Sequence, residues 1–100
     1  MAKEVRISRR AARDIEKITD YLFKNWNANV VADFISRYEE CLDLLTKNPE
    51  QYPIARKNTN VRRCVLTKHN VAYFKEFPNK ITILTVFDTR QNPKKLNKII

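Results

Sequence analysis

The stretch Asn70-Val71-Ala72-Tyr73-Phe74-Lys75-Glu76-Phe77-Pro78-Asn79-Lys80-Ile81-Thr82-Ile83-Leu84-Thr85-Val86-Phe87 contains two strand-like runs and a reversal. Val71, Tyr73, Phe74, Ile81, Thr82, Ile83, Thr85, Val86 and Phe87 are β-branched or aromatic, the types that pack well on a pleated surface. Pro78-Asn79-Lys80 breaks the run, so strands are predicted over 70–77 and 81–87. The chain has no glycine, which makes Asn79 the expected carrier of a positive φ in that reversal. Upstream, Val61 to Leu66 reads as a third strand, separated from the second by a turn through Lys68 and His69.

Two helices precede these strands. From Ala11 to Lys24, Ile15, Ile18 and Leu22 recur at three- and four-residue steps. Asp14, Glu16, Lys17 and Asp20 are expected on the opposite, wet face. From about Asn29 to Lys47 the apolar stripe is Val31, Phe34, Tyr38, Cys41, Leu42 and Leu45. Trp26 is read as a hydrophobic plug at the corner between the helices. Pro49 ends the second helix, because proline lacks the amide that would continue it. At the N-terminal side, Lys3 to Ile7 alternates as an edge strand, and Ser8 is positioned as an N-cap. The tail from Asp88 to Ile100 is basic, with Leu96, Ile99 and Ile100 free either to tuck in or to meet a partner. The predicted order is β-α-α-β-β-β. It describes an α+β fold, one domain over residues 1–100, with a helical hairpin laid across a mainly antiparallel sheet.

Composition narrows the function. The net charge is +9. Residues 1–53 hold nine basic and nine acidic side chains, and residues 54–100 hold eleven basic and two acidic. The second half therefore presents a basic face suited to nucleic acid or to an acidic protein segment. No apolar run approaches the ~20 residues that span a bilayer, and the first residues lack the apolar core of a secretory signal. The expected location is the cytoplasm. Cys41 and Cys64 read as buried thiols in a reducing compartment, with a disulfide or redox pair as the alternative. Two cysteines and one histidine at these spacings match no zinc site, and neither a metal nor a cofactor is expected.

The order of elements and several sequence marks resemble the ParE/RelE toxin superfamily. The marks are Asp20-Tyr21-Leu22, Phe34, the Leu42 to Leu45 region, Asn48-Pro49-x-x-Tyr52-Pro53, Val61-Arg62-Arg63, Asn70-Val71-Ala72-Tyr73-Phe74 and Asp88-Thr89-Arg90-Gln91-Asn92-Pro93. They span about 90 residues. The resemblance implies a toxin encoded beside an antitoxin, with which it forms a hetero-oligomer. RelE-like members cut messenger RNA in the ribosomal A site without a metal. ParE-like members are associated with poisoning DNA gyrase.

Metal-free RNA cleavage requires a base, an acid and cations on the phosphate. In the resemblance, Arg63 falls where a sheet lysine is expected, and Val65 where its neighbour would be. Val71 or Ala72 falls where a catalytic arginine belongs, Arg90 matches the arginine after the last strand, and Leu96 takes the place of a terminal tyrosine. The catalytic candidates are thus Arg63, His69, Tyr73 and Arg90, with His69 read first as an exposed turn residue and Tyr73 as core. The depleted set favours the ParE-like branch, an inhibitor without chemistry of its own. Its target-binding candidates are Arg62, Arg63, Arg90, Lys94 and Lys95, and its implied partners are a cognate antitoxin and DNA gyrase. The alternatives are a ribosome-dependent messenger RNA endoribonuclease and an inactive binding module.

Overall fold

A computed structural model describes residues 3–100, so the reading of the first two residues lies outside it. The elements are β1 (Glu4–Ile7), α1 (Arg9–Asn25), α2 (Ala28–Lys47), a 3-10 turn (Pro49–Gln51), β2 (Val61–Val65), β3 (Asn70–Glu76), β4 (Lys80–Asp88) and α3 (Pro93–Ile99). The expected order holds, with one helix added at its end. The four strands form one sheet in the order β1-β4-β3-β2. β2, β3 and β4 are antiparallel neighbours, and β1 runs parallel to β4 at the edge.

The first helix starts where its cap lies. The Ser8 hydroxyl accepts from the Ala11 amide at 3.0 Å, satisfying one of the donors a helix start leaves unpaired. The same hydroxyl donates to the Leu84 carbonyl at 2.8 Å, and the Ser8 amide donates to the Ile83 carbonyl at 3.0 Å. One serine therefore begins α1 and fastens it to β4. Asn27 caps α2 through its side-chain oxygen, which accepts from the Val30 amide.

The fastening point on β4 is irregular. Phe74 opposes Ile83 and Tyr73 opposes Thr85, so Leu84 is an extra residue in β4. Such a bulge frees backbone groups that then need partners. Asp14 provides one, because its carboxylate accepts from both the Thr85 hydroxyl and the Val86 amide. This corrects the assignment of Asp14 to the wet face. A carboxylate on the inner side of an amphipathic helix is tolerated here because the bulge offers it two donors.

The core lies between the hairpin and the sheet. Phe34, Tyr38, Cys41 and Leu45 of α2 meet Ala72 and Phe74 of β3 and Ile81, Ile83 and Val86 of β4. Phe74, Leu45, Ile81 and Ile83 are fully buried, and each stabilises the fold by roughly 1.5–3 kcal/mol. Cys41 and Cys64 are free, buried thiols, and their sulfurs meet across the α2–β2 interface at 2.6 Å.

Two further expectations need correction, and one open choice is decided. Asn79 does not take a positive φ. The one such non-glycine residue among the described residues is Asn58, at 62°, in the 54–60 loop. The 78–80 reversal is closed instead by the Phe77 amide donating to the Lys80 carbonyl at 2.9 Å. Trp26 is no plug, since it is 66% exposed at the hairpin tip with Phe23 and Tyr21 exposed nearby. The tail is not an open choice either. Asn92 caps α3, and Leu96, Ile99 and Ile100 pack on Val71, Tyr73 and Phe87 on the sheet face opposite the hairpin.

Candidate functional site

A groove of about 630 Å³ lies between the helical hairpin and the ends of β3 and β4. Ile18, Leu22, Phe34 and Val86 give it apolar walls, while Lys17, Tyr21, His69, Asp88 and Arg90 are among its polar lining. The β2–β3 turn brings His69 there. Thr67 Oγ1 accepts from the His69 amide at 3.3 Å and from Asn70 Nδ2 at 2.9 Å. The Thr89 amide donates to the His69 carbonyl at 2.8 Å, which ties this turn to the end of β4.

Arg90 is fixed by Asp88. Its Nε donates to Asp88 Oδ1 at 3.0 Å, its Nη2 to Oδ2 at 2.7 Å, and its own amide to Oδ1 at 2.9 Å. This is the forked geometry in which arginine matches a carboxylate. The hydrogen bonds from Arg90 hold the Asp88 carboxyl below its ordinary range, with a smaller contribution from the nearby His69. Asp88 in turn raises the Arg90 pKa, and Tyr21 of α1 also approaches the guanidinium. The Arg90 side chain is 56% exposed. The arrangement presents a preoriented guanidinium whose remaining donors face solvent at the mouth of the groove.

The other sequence candidates are dispersed. Arg62 is committed to the fold: it donates to the Tyr52 carbonyl at 2.6 Å and the Glu50 carbonyl at 3.3 Å, and it pairs with Glu76 at 3.4 Å. Arg63 is exposed on β2 opposite Tyr73. Burial raises the Tyr73 hydroxyl pKa, and the Arg63 charge partly opposes that rise. Tyr73 is 8% exposed and belongs to the cluster beneath α3. Lys94 and Lys95 are exposed on α3. Lys95 also borders a second cleft, of about 480 Å³, with Arg10, Lys98, Ser8, Leu84 and Ile99. The structure thus brings His69 and Arg90 together around Asp88, sets Arg63 beside Tyr73, and leaves the lysines on a separate helix. Among the described residues, no group of three His, Cys, Asp or Glu side chains is placed to hold a metal ion. No helix among them is long and apolar enough to cross a membrane.

Asp88 and Tyr21 were missed as site residues. The signal for Asp88 was present in the Asp88-Thr89-Arg90 spacing, which allows a carboxylate to hold a guanidinium two residues on. Tyr21 gave none, because its approach to Arg90 depends on how α1 crosses the sheet.

A sequence model described as "ParE toxin of type II toxin-antitoxin system, parDE" matches residues 5–93. The chain belongs to this toxin family. A search of curated proteins finds no match. Among solved structures, the chain is similar to one described as the chromosomal ParDE TA system from P. aeruginosa. The identity is 19% and the TM-score 0.73, over 87% of this chain and 96% of that one. It is similar to YoeB from Staphylococcus aureus, solved as a dimer, at 14% identity and a TM-score of 0.63, over 87% and 97% of the two chains. It is also similar to a chain of the E. coli DinJ-YafQ toxin-antitoxin complex, at 11% identity and a TM-score of 0.61, over 90% and 96%. At these identities the likeness establishes the fold. It joins the ParE family to YoeB and YafQ as variants of one α+β architecture.

Proposed function

We propose that this toxin inhibits growth by binding DNA gyrase, without chemistry of its own, and that a cognate antitoxin neutralises it. The observation behind this reading is the sheet face under α3. Val71 and Leu96, which stand where a metal-free ribonuclease of this superfamily would carry an arginine and a tyrosine, pack with Tyr73, Phe87, Ile99 and Ile100 in an apolar cluster. The one ionisable side chain in that cluster, Tyr73, is buried with its hydroxyl pKa raised, which suits it poorly to the acid or base work that RNA cleavage needs. What remains exposed is cationic: Arg63, Arg90, Lys94 and Lys95. Guanidinium and ammonium groups so placed suit recognition of phosphates or carboxylates.

The titles of two similar structures name toxin and antitoxin together, ParDE and DinJ-YafQ. A partner for this chain is proposed by the same pairing and by its charge, since the excess of +9 lies entirely in residues 54–100. An acidic antitoxin segment that wraps the chain would meet these cations at several places. It also has a strand edge to extend. The segment 53–55 already bonds to the outer edge of β2, through Ala55 to Val61 and Arg63 to Pro53. β1 is the sheet's other edge, and it is the one we assign to strand addition.

The test is induction of the chain alone in bacteria, followed by pulse labelling of DNA and protein synthesis. An early fall in DNA synthesis with filamentation is expected. An early fall in protein synthesis with fragmented messenger RNA transfers the assignment to ribosome-dependent RNA cleavage.

A further inference from the structure

The hairpin–sheet interface holds a group of polar atoms that gyrase or antitoxin binding does not use. Cys41 of α2 and Cys64 of β2 are the chain's two cysteines. They are 5% and 6% exposed, and the Cys41 thiol donates to Cys64 at 2.6 Å. Tyr52 stands beside Cys64, and Tyr38 stands one helical turn before Cys41. The Tyr38 hydroxyl is buried and, among the described residues, has no hydrogen-bond partner. Most apolar cores avoid such an accumulation, because buried polar groups cost stability when left unpaired.

We propose that Cys41 and Cys64 form a redox modification site, closed to an intramolecular disulfide by peroxide and reopened by thiols. The two sulfurs sit on different elements and already touch, so closure needs side-chain adjustment and no movement of α2 against β2. Hydrogen bonds from Cys41, assisted by Tyr52, favour ionisation of Cys64, which burial alone would oppose. Cys64 lies on the edge strand and is the thiol that local opening reaches, which makes it the first nucleophile. The hydrogen bond to Cys64 and burial push the Cys41 thiol up, in the same sense.

Access follows from the position of β2. It is an edge strand, and the segment over it has no regular secondary structure beyond one isolated bridge, Ile54 to Arg62. Two backbone bonds hold that segment to β2, Ala55 to Val61 and Arg63 to Pro53. Arg62 of β2 adds side-chain bonds to the Tyr52 and Glu50 carbonyls, and the Tyr52 ring rests edge-on against Phe74 at 5.9 Å. Local opening of these contacts is easier than global unfolding. It uncovers Cys64 to an oxidant as small as hydrogen peroxide.

The chemistry balances in two steps. The Cys64 thiolate attacks one peroxide oxygen, forming an S–O bond and breaking the O–O bond. The departing hydroxide takes up the proton Cys64 released and becomes water. Cys41 sulfur then attacks the Cys64 sulfenic sulfur, forming the S–S bond and breaking S–O, and the second hydroxide leaves with the Cys41 proton as water. Two thiols and one peroxide give one disulfide and two waters. The thiols lose two electrons and the peroxide gains them. The bond closes a loop that contains the 3-10 turn and the 54–60 segment, so it restricts the unfolded chain and stiffens that loop.

The experiment treats the folded, reduced full chain with stoichiometric hydrogen peroxide, then maps peptides by mass without reduction. The expected product is a monomer with a Cys41–Cys64 linkage, both thiols lost together, and a denaturation midpoint raised by roughly 10 °C, reversed by dithiothreitol. A Cys41→Ala variant should stop at the first step, with a sulfenic acid on Cys64 captured by dimedone. Thiols that react only after denaturation overturn the proposal. So do a disulfide between two chains and sulfinic acid at Cys64 with Cys41 still free in the wild-type protein.

Discussion

Asp14 shows how one side chain can decide the seating of a helix. Its carboxylate bridges the Thr85 hydroxyl and the Val86 amide at the β4 bulge. Asp14→Ala strands both donors, and Thr85 is 1% exposed. The expected loss is about 1–3 kcal/mol, read from urea unfolding midpoints at constant slope. Glu76 links the two sheet edges electrostatically, meeting Lys3 at 2.8 Å and Arg62 at 3.4 Å. The hydrogen bond from Lys3 leads the effects that hold its pKa below the ordinary 4.5. A depressed folded pKa contributes stability that is fully present above the unfolded value and is lost as pH falls through the folded one. Stability should therefore decline below about pH 4.5, and Glu76→Gln should flatten that decline in thermal melts taken between neutral pH and pH 3. Arg90 is a different case. It is exposed and touches the protein chiefly through Asp88. Arg90→Ala should leave the melting temperature unchanged within error and weaken growth inhibition. Undiminished toxicity in a well-expressed Arg90→Ala strain removes it from the contact surface.

Among the elements, α3 was the least legible and is the most open to test. Leu96, Ile99 and Ile100 hold the i, i+3, i+4 spacing of an apolar helix face, and Asn92-Pro93 has the form of a helix start. Seven residues give too few repeats for periodicity to separate a helix from a basic tail, so docking on Val71, Tyr73 and Phe87 decides the matter. Leu96→Ala should loosen that docking at a cost of about 1–2 kcal/mol, less than for a fully buried leucine. Faster amide exchange confined to residues 93–100, with faster trypsin cleavage at Lys94, Lys95 and Lys98, is the expected signature. The hairpin and the three antiparallel strands were readable because each repeats its period several times. The exposure of Trp26 was not, since bulk and apolarity say what a residue gains by burial and nothing about whether the fold offers it a place.

At the scale of the molecule, the sequence displayed the charge asymmetry but not its distribution in space. The basic residues of the second half lie on several surfaces: Arg63 on the sheet, Arg90 at the groove, and Lys94, Lys95 and Lys98 on α3. Arg10 joins Lys95 and Lys98 from the first half, at a cleft no local pattern announces. Arg62 dropped out of the exposed set because a loop carbonyl and Glu76 claim it. A field spread this way should steer an acidic partner from several directions. Association with an acidic antitoxin segment is expected to slow by roughly tenfold between low salt and several hundred millimolar salt, with a much smaller change in dissociation rate. Stopped-flow mixing at a series of ionic strengths measures both.

The parallel pairing of β1 with β4 has a consequence for how the toxin is made. Val5 aligns with Ile81, and Ile7 with Ile83. β1, ending at Ile7, leaves the ribosome long before its partner β4, which begins at Lys80. At roughly 5–20 residues per second, the nascent chain spends several seconds with its first strand waiting and its sheet unassembled. The α1 cap shares the delay, because Ser8 finds its partners on Ile83 and Leu84. Arg90 follows β4 and appears later still. A nascent chain therefore carries no assembled sheet, and no Arg90 surface, until β4 and the residues after it have left the ribosome.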